Sequence, residues 1–370
     1  MIAQESDDQR WMAAALRLGR RNFGLTAPNP CVAALIVRDG VVAGRGVTAP
    51  GGRPHAEPLA IAEAGEAARG ATMYVTLEPC SHHGQTPPCA EAIVAAGLGR
   101  VVCALEDPDK RVAGRGLALL RAAGIAVEVG VGAEQARRDH RGHILRVTAG
   151  RPMAALKLAL TADGYAAGDE HDPRLAITGE ASNNAVQVMR SLHDAIMVGL
   201  GTARDDDPLL TVRLPGVTQK PLRVVLDAAL RLPLNSRLVA TAGEFPTLVI
   251  ATAAAPAERE AALAAKGVET ARVAADPQGG VDLAAALEAL AARGVTRVFS
   301  EGGPRVAARL IGLGLADEVA LFSAVKPLGR PGRAGLDPAG WAALADPKRY
   351  RPLTAETYGT DVLRRWERAG

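Results

Sequence analysis

Thr72-Met-Tyr-Val-Thr-Leu-Glu-Pro-Cys80-Ser-His-His-Gly-Gln-Thr-Pro-Pro-Cys89 is the stretch on which the fold of the first domain turns. The apolar run 72–77 reads as a strand, and 88–96 reads as a helix that Gly97 ends. A loop carrying Cys80 joins them, and Cys89 stands at the helix start. Upstream, His55-Ala-Glu57 opens another helical stretch over 55–67. Apolar strands alternating with helices imply an α/β sheet covered on both faces.

The alternation continues on both sides. Ser6, Asp7 and Asp8 ahead of Trp11, Met12, Ala15 and Leu16 predict a capped helix. The run 31–37 ends at Asp39-Gly40 and resumes at Val41-Val42, a hairpin. Strands are expected at 100–105 and 125–129, and helices at 116–123 and 134–145. Periodicity breaks around Ala149-Gly-Arg-Pro152, giving one domain over 1–148 and a second over 151–370. In the second, strands are expected at 154–161, 194–200, 222–226, 247–251, 295–300, 317–325 and 362–366. Helices are expected at 178–192, opened by Thr178 and Glu180, and at 257–266, 283–293 and 305–310. This half is α/β as well.

The chain has 370 residues, which suits two domains. Hydrophobic residues at 48% and charged residues at 22% exclude a disordered chain. Aromatics at 3% and a net charge of +3 argue against nucleic-acid binding, by stacking or by a basic surface. No apolar run is long enough for a membrane span. The polar N-terminus has no signal-peptide pattern, so a cytoplasmic location is expected. Cys31, Cys80, Cys89 and Cys103 all fall in the first third, which favours metal or structural thiols over a disulfide framework. Cys31 and Cys103 lie in apolar runs and read as core residues.

His55, Cys80 and Cys89 offer one imidazole and two thiols, the donors zinc prefers. Three protein ligands leave a fourth position for water, the mark of a catalytic site. Glu57, two residues beyond His55, can move protons beside the ion without ligating it. His-x-Glu followed by Pro-Cys is a zinc-deaminase arrangement, in which two residues usually separate the cysteines. Here eight do. A lone histidine would read as a core residue, but these four in order read as a metal site. His82 and His83 remain rival fourth ligands.

In the second domain, Ser300-Glu-Gly-Gly-Pro304 follows an apolar strand and precedes a helix. Its glycines allow close approach of an anion to free amides at the helix start. There is no Gly-x-Gly-x-x-Gly fingerprint, so a conventional dinucleotide-binding domain is not supported. Asp205-Asp-Asp-Pro208 reads as a metal cluster or as a polar capping loop. Lys157 lies in an apolar strand, where a lone charge must be paired or face a cleft. With Glu301, Arg190 and Arg213 it suits a sugar-phosphate pocket; otherwise the arginines are solvated surface charges.

Thr26-Ala-Pro-Asn-Pro30, His55-Ala-Glu57, Thr76-Leu-Glu-Pro-Cys-Ser-His-His-Gly84, Thr86-Pro-Pro-Cys89 and Val112-Ala-Gly-Arg-Gly116 together resemble the bifunctional riboflavin-biosynthesis pyrimidine deaminase/reductases. The eight-residue gap is that family's own. The resemblance runs on through Leu156-Lys-Leu158, Asp163-Gly164, Ile177-Thr-Gly179, Asp194-Ala-Ile-Met-Val-Gly199, Asp206-Asp-Pro208, Leu210-Thr-Val-Arg213, Val224-Val-Leu-Asp227 and Glu301-Gly-Gly-Pro304. It implies a cytidine-deaminase-like α/β/α domain followed by a dihydrofolate-reductase-like α/β domain. It also implies two reactions on one phosphorylated pyrimidine: zinc-dependent hydrolytic deamination, then NADPH-dependent reduction of the ribosyl side chain to ribityl.

By matching position, the resemblance implies that His55, Cys80 and Cys89 bind one Zn²⁺, Glu57 shuttles protons, and Asn29 and His82 hold the pyrimidine. Lys157, Arg190, Leu210, Arg213 and Glu301 match substrate positions of the reductase. Ala159, Ala176, Thr202, Asp206, Ala228, Gly302 and Gly303 match cofactor positions. A homodimer through the reductase domain is also implied.

The sequence departs from the family at Thr48, where a histidine is usual, and at Gln85, where a basic residue is usual. Arg53 is expected to supply a replacement cation. In the reductase, Tyr165, Ala176 and Ala228 replace an arginine, a tryptophan and a serine, and Arg174 falls in a loop where a small polar residue is common. Two competing readings are a nucleobase or nucleoside deaminase with an unrelated C-terminal domain, and a non-catalytic zinc-stabilised binding protein with four protein ligands.

Overall fold

Asp39 and Gly40 both take positive φ, 51° and 74°. This closes the tight turn between strand β1 (Ala33–Arg38) and strand β2 (Val41–Val47). The computed structural model describes residues 7–84, 87–169, 172 and 175–369. Ser6, Gln85, Thr86 and Arg174 lie outside the described residues. Two units form, Met1–Gly150 and Arg151–Gly370.

In the first unit, β3 (Thr72–Val75), β4 (Arg100–Cys103) and β5 (Ala126–Val129) complete a five-stranded sheet of order β2-β1-β3-β4-β5. β1 runs antiparallel to β2 and β3, whereas β3, β4 and β5 are parallel. The period-two alternation of the strands sends Ala34, Ile36, Met73, Val75 and Val101 to one face. There they meet Ala60, Ile93 and Leu117, from helices α2 (Ala56–Ala64), α3 (Cys89–Ala95) and α4 (Arg115–Ala122). Leu35, Val37, Tyr74 and Val102 face the other way, onto Met12, Ala15 and Leu16 of helix α1 (Asp7–Gly19).

The single helix expected over 134–145 is instead two, α5 (Ala133–Asp139) and α6 (Arg141–Ala149). The break is at His140, whose ψ of 7° leaves the helical range. Its ring Nε2 lies 3.2 Å from the buried Thr76 Oγ1, a tertiary contact that overrides local helix propensity.

The second unit is a nine-stranded sheet of order β11-β10-β9-β8-β12-β6-β13-β16-β15. β6 (Met153–Leu160), β8 (Ala195–Gly199), β9 (Leu222–Leu226), β10 (Thr247–Thr252), β11 (Glu269–Val273), β12 (Arg297–Ser300) and β13 (Glu318–Ser323) pair in parallel. The C-terminal hairpin of β15 (Tyr350–Tyr358) and β16 (Asp361–Arg368) adds antiparallel strands at one edge. A separate short pair joins β7 (Tyr165–Ala167) and β14 (Arg333–Ala334). The helices that bear on the site are α7 (Glu180–Ser191), α8 (Leu200–Asp205) and, after β12, a helix spanning Pro304–Gly312. The remaining connections carry the expected helices Ala257–Ala264 and Leu283–Ala292.

α7 does not open at Thr178. Gly179 is its N-cap and provides no side chain. The cap comes from Asp361, whose Oδ2 accepts the Gly179 N–H at 2.8 Å and the Ser182 hydroxyl at 2.6 Å. Among the described residues no helix is long and apolar enough to cross a membrane.

Candidate functional site

Two helix starts carry the metal-type residues. His55 is the N-cap of α2, and Glu57 lies in its first turn, 3% exposed. Cys89 is the first residue of α3, and Cys80 lies in the connection between β3 and α3. α2 reaches this position because β2 offers no side chains beneath it. A Cβ on Gly44 would lie 2.2 Å from the Ala60 carbonyl oxygen, and one on Gly46 would lie 2.0 Å from that of Ala56. The helix therefore rests directly on the strand backbone.

Cys80 is fixed through its neighbours. The buried Glu78 carboxylate accepts backbone N–H groups from Asp107 (3.2 Å), Gly114 (2.9 Å) and Gly116 (2.9 Å). It thus caps the start of α4 from another element. A Cβ on Gly116 would meet the Pro79 carbonyl oxygen at 2.1 Å, so α4 also bears directly on the Pro79-Cys80 turn. Glu78, Gly44 and Gly46 carried no functional reading in the sequence. Their spacing from the motif residues is visible there, but the contacts are tertiary.

Ligand atoms of His55, Cys80 and Cys89 lie within 4.8 Å of one another. His55 Nδ1 is 3.7 Å from Cys80 Sγ and 3.4 Å from Cys89 Sγ. Tetrahedral zinc, with bonds of about 2.3 Å to sulfur and about 2.0 Å to nitrogen, holds such atoms about 3.6 Å apart. The donors present therefore fit zinc. Among the described residues no fourth ligand joins the group. His82 is exposed on the loop between the cysteines, and His83 pairs with Glu91 at 3.5 Å.

The three donors also shift one another's protonation. The Cys89 thiol and, less strongly, the His55 ring and the Cys89 backbone N–H bond to Cys80, lowering its pKa to about 4 despite burial. The bond to Cys80 and burial push Cys89 far up. Burial, then the Cys80 charge, raises Glu57 to about 7. Asn29 Nδ2 donates to the Gly52 carbonyl at 2.7 Å and lies 3.5 Å from His55 Nε2. Thr48 is buried at 1% exposed, and its hydroxyl accepts the Val32 N–H at 3.0 Å. Cys31 and Cys103 are buried thiols outside any disulfide, donating to the Gly19 and Leu105 carbonyls.

In the second unit the register gathers the candidate residues at the carboxyl ends of the parallel strands. Ser300 pairs with Leu156 and with Met197, so Glu301 comes level with Lys157, and Gly302-Gly303 continue beyond β8. Ala159 is half-buried on the Lys157 face of β6, and Ala228 follows the end of β9. Ligands bind at such carboxyl ends where the strand order reverses, here at β6-β12-β8.

Arg190 is not a solvated surface charge. It is 8% exposed and forks onto Glu301 with Nε–Oε1 at 2.5 Å and Nη2–Oε2 at 2.9 Å. Burial alone would raise Glu301. Arg190, then Lys157 and Arg213, outweigh it and hold the carboxyl below its ordinary value. Arg190 Nη1 also donates to the Thr211 carbonyl at 2.9 Å, and Gln187 Oε1 accepts the Arg213 N–H at 2.9 Å. α7 thus straps down the segment holding Leu210, itself buried with φ of 50°, and leaves the Arg213 side chain exposed.

The amides at the glycine turn are not all free, as the sequence reading had them. Gly303 N donates to Thr202 Oγ1 at 3.1 Å. The Thr202 hydroxyl keeps its own proton to donate. Asp206 is half-buried just beyond α8, and Ala176 is exposed. The neighbouring acids form no metal group among the described residues. Asp207 Oδ1 instead accepts the Arg237 N–H at 2.8 Å, as expected of a capping loop.

Residues 152–363 match the family described as RibD C-terminal domain, and residues 5–105 match the cytidine and deoxycytidylate deaminase zinc-binding region. The chain is 36% identical over 356 residues to the riboflavin biosynthesis protein RibD of Aquifex aeolicus, covering 96% of this chain and 97% of that protein. It is 37% identical over 369 residues to that of Escherichia coli, covering 96% and 98%. Among solved structures, Acinetobacter baumannii RibD superposes with a TM-score of 0.85 at 34% identity, covering 98% of this chain and 99% of that one. The diaminohydroxyphosphoribosylaminopyrimidine deaminase/5-amino-6-(5-phosphoribosylamino)uracil reductase of Thermotoga maritima gives 0.83 at 31%, covering 98% and 99%. A zinc-binding deaminase region and a reductase region in one chain, at this identity and coverage, make the protein a member of the RibD family, the bifunctional deaminase/reductases of riboflavin biosynthesis.

Proposed function

We propose that the first unit deaminates 2,5-diamino-6-ribosylamino-4(3H)-pyrimidinone 5′-phosphate and that the second reduces the ribosyl side chain of the product to ribityl with NADPH. The observation that carries this reading is the three-donor group His55, Cys80 and Cys89 with the carboxylate of Glu57 buried beside it. These three residues would hold Zn²⁺, which when bound supplies Lewis-acid activation of water at neutral pH. Glu57 takes a proton from the attacking water and delivers it to the departing amine nitrogen. Its burial keeps solvent protons out of that exchange. Asn29 and His82 would hold the ring. The three-donor count disfavours a closed structural zinc site.

In the second unit, Lys157, Arg190, Arg213 and Glu301 sum to two surplus positive charges, which suits a phosphorylated substrate, with Leu210 packing against it. Ala159, Ala176, Thr202, Asp206, Ala228, Gly302 and Gly303 would hold NADPH, the hydride source. The Thr202 hydroxyl, beside Gly303 at a helix start, offers an anion a polar contact.

The test is incubation with the ribotide, first without and then with NADPH, following ammonia and NADPH absorbance separately. Ammonia appears in the first stage, and NADPH oxidation follows only in the second. Absence of ammonia from zinc-loaded protein contradicts the deaminase reading, and ammonia without later NADPH oxidation contradicts the reductase reading.

A further inference from the structure

Arg223 of β9 is 0% exposed. A charge so deeply buried is costly unless its donors find partners. Its Nη groups donate to five acceptors. Three are the carbonyls of Leu209 (3.2 Å), Leu238 (2.9 Å) and Phe245 (3.0 Å), and two are the hydroxyls of Thr241 (2.8 Å) and Thr247 (2.5 Å). All five are neutral. Burial pulls the guanidinium down to about 10, so it is still a cation at neutral pH. Four of the acceptors lie within the stretch 238–247, which a purely internal fastening would serve. The fifth, Leu209, opens the segment that runs through Leu210 to Arg213. Leu210 takes φ of 50°, a left-handed conformation that a side-chained residue keeps only where its surroundings impose it. Two guanidiniums hold the residues on either side. Arg223 Nη1 binds the Leu209 carbonyl, and Arg190 Nη1 binds the Thr211 carbonyl at 2.9 Å. Arg190 and Arg213 are both in the group proposed to hold the reductase substrate.

We propose that Arg223 is a positioning residue of the reductase: by fixing the Leu209 carbonyl it keeps Leu210 in its left-handed conformation and so sets where Arg213 meets the substrate. The inference rests on the reductase reading above. A guanidinium suits this task because its planar fork reaches several acceptors at once with little freedom left to lose.

The experiment measures NADPH oxidation by the full-length protein with the deaminated ribotide, varying the two substrates separately. Arg223→Gln removes the buried charge but keeps a polar side chain. It raises KM for the ribotide about tenfold, the size of one lost charged hydrogen bond, and leaves kcat and KM for NADPH within about threefold. Arg223→Lys, which keeps the charge on one nitrogen, gives a smaller rise, and it carries the same test should Arg223→Gln fail to fold. Thr241→Val takes another acceptor from Nη1 while sparing the Leu209 carbonyl. It lowers the melting temperature and leaves both KM values near wild type. An Arg223 that serves folding alone gives a different pattern. Both KM values rise together in the Arg223 variants, or neither rises, or Thr241→Val raises the ribotide KM as much as Arg223→Gln does. Any of these overturns the inference while leaving the reductase reading intact. Wild-type protein that oxidises no NADPH on the deaminated ribotide overturns both.

Discussion

Glu57→Gln is expected to lower ammonia release by about a hundred- to ten-thousandfold, the range for a positioned proton shuttle. The substitution keeps the shape and the buried position at the first turn of α2. It removes the carboxylate buried beside His55, Cys80 and Cys89 that is proposed to carry a proton from water to amine. Zinc content is expected to be unchanged, because Glu57 is not in the ligand group. NADPH oxidation on the deaminated substrate is also expected to be unchanged, since the residues proposed for it lie in the other unit. Intact ammonia release from Glu57→Gln would remove Glu57 from the mechanism. Loss of zinc together with activity would make it a structural residue instead.

Gly46→Ala should have a comparable effect by a different route. The new methyl carbon would lie 2.0 Å from the Ala56 carbonyl oxygen, so backbone must move by about 1 Å. The displaced segment is the start of α2, which bears His55 and Glu57. A shift of that size is worth about a hundredfold in rate at a reacting centre. Overpacking costs a further 1–3 kcal/mol, roughly, in stability. Zinc content by metal analysis and ammonia release are expected to fall together. Retained NADPH oxidation on the deaminated substrate would show that the second unit is still folded. Full zinc occupancy and wild-type ammonia release in Gly46→Ala would contradict the account of how α2 is seated.

The Asp39-Gly40 hairpin, the apolar strands and most helices were legible in the sequence because their signals are local. The missed features depend on partners far along the chain. His140 breaks a helix to reach Thr76, 64 residues earlier. α7 has no cap of its own because Asp361, 182 residues beyond Gly179, supplies it. Strands β11 and β15 went unread because their side chains are mostly half-exposed or exposed, so neither shows a clean apolar run.

The same distinction holds in the sites. His55, Cys80 and Cys89 announce themselves by donor chemistry. Glu78, which holds the turn before Cys80 through backbone N–H groups of the 107–116 segment, does not. From its residues alone Arg190 read more readily as a solvated surface charge than as a pocket residue, because its pairing with Glu301 joins residues 111 positions apart.

A metal ion held by one imidazole and two thiolates is expected to keep its fourth corner free of protein. A crystal structure of zinc-loaded protein, with the ion located by its own anomalous scattering, tests it most directly. The expected result is zinc on His55 Nδ1, Cys80 Sγ and Cys89 Sγ with solvent at the remaining corner. Zinc closed by a fourth side chain such as His82, or fully metallated protein with no ion at these three residues, would contradict it.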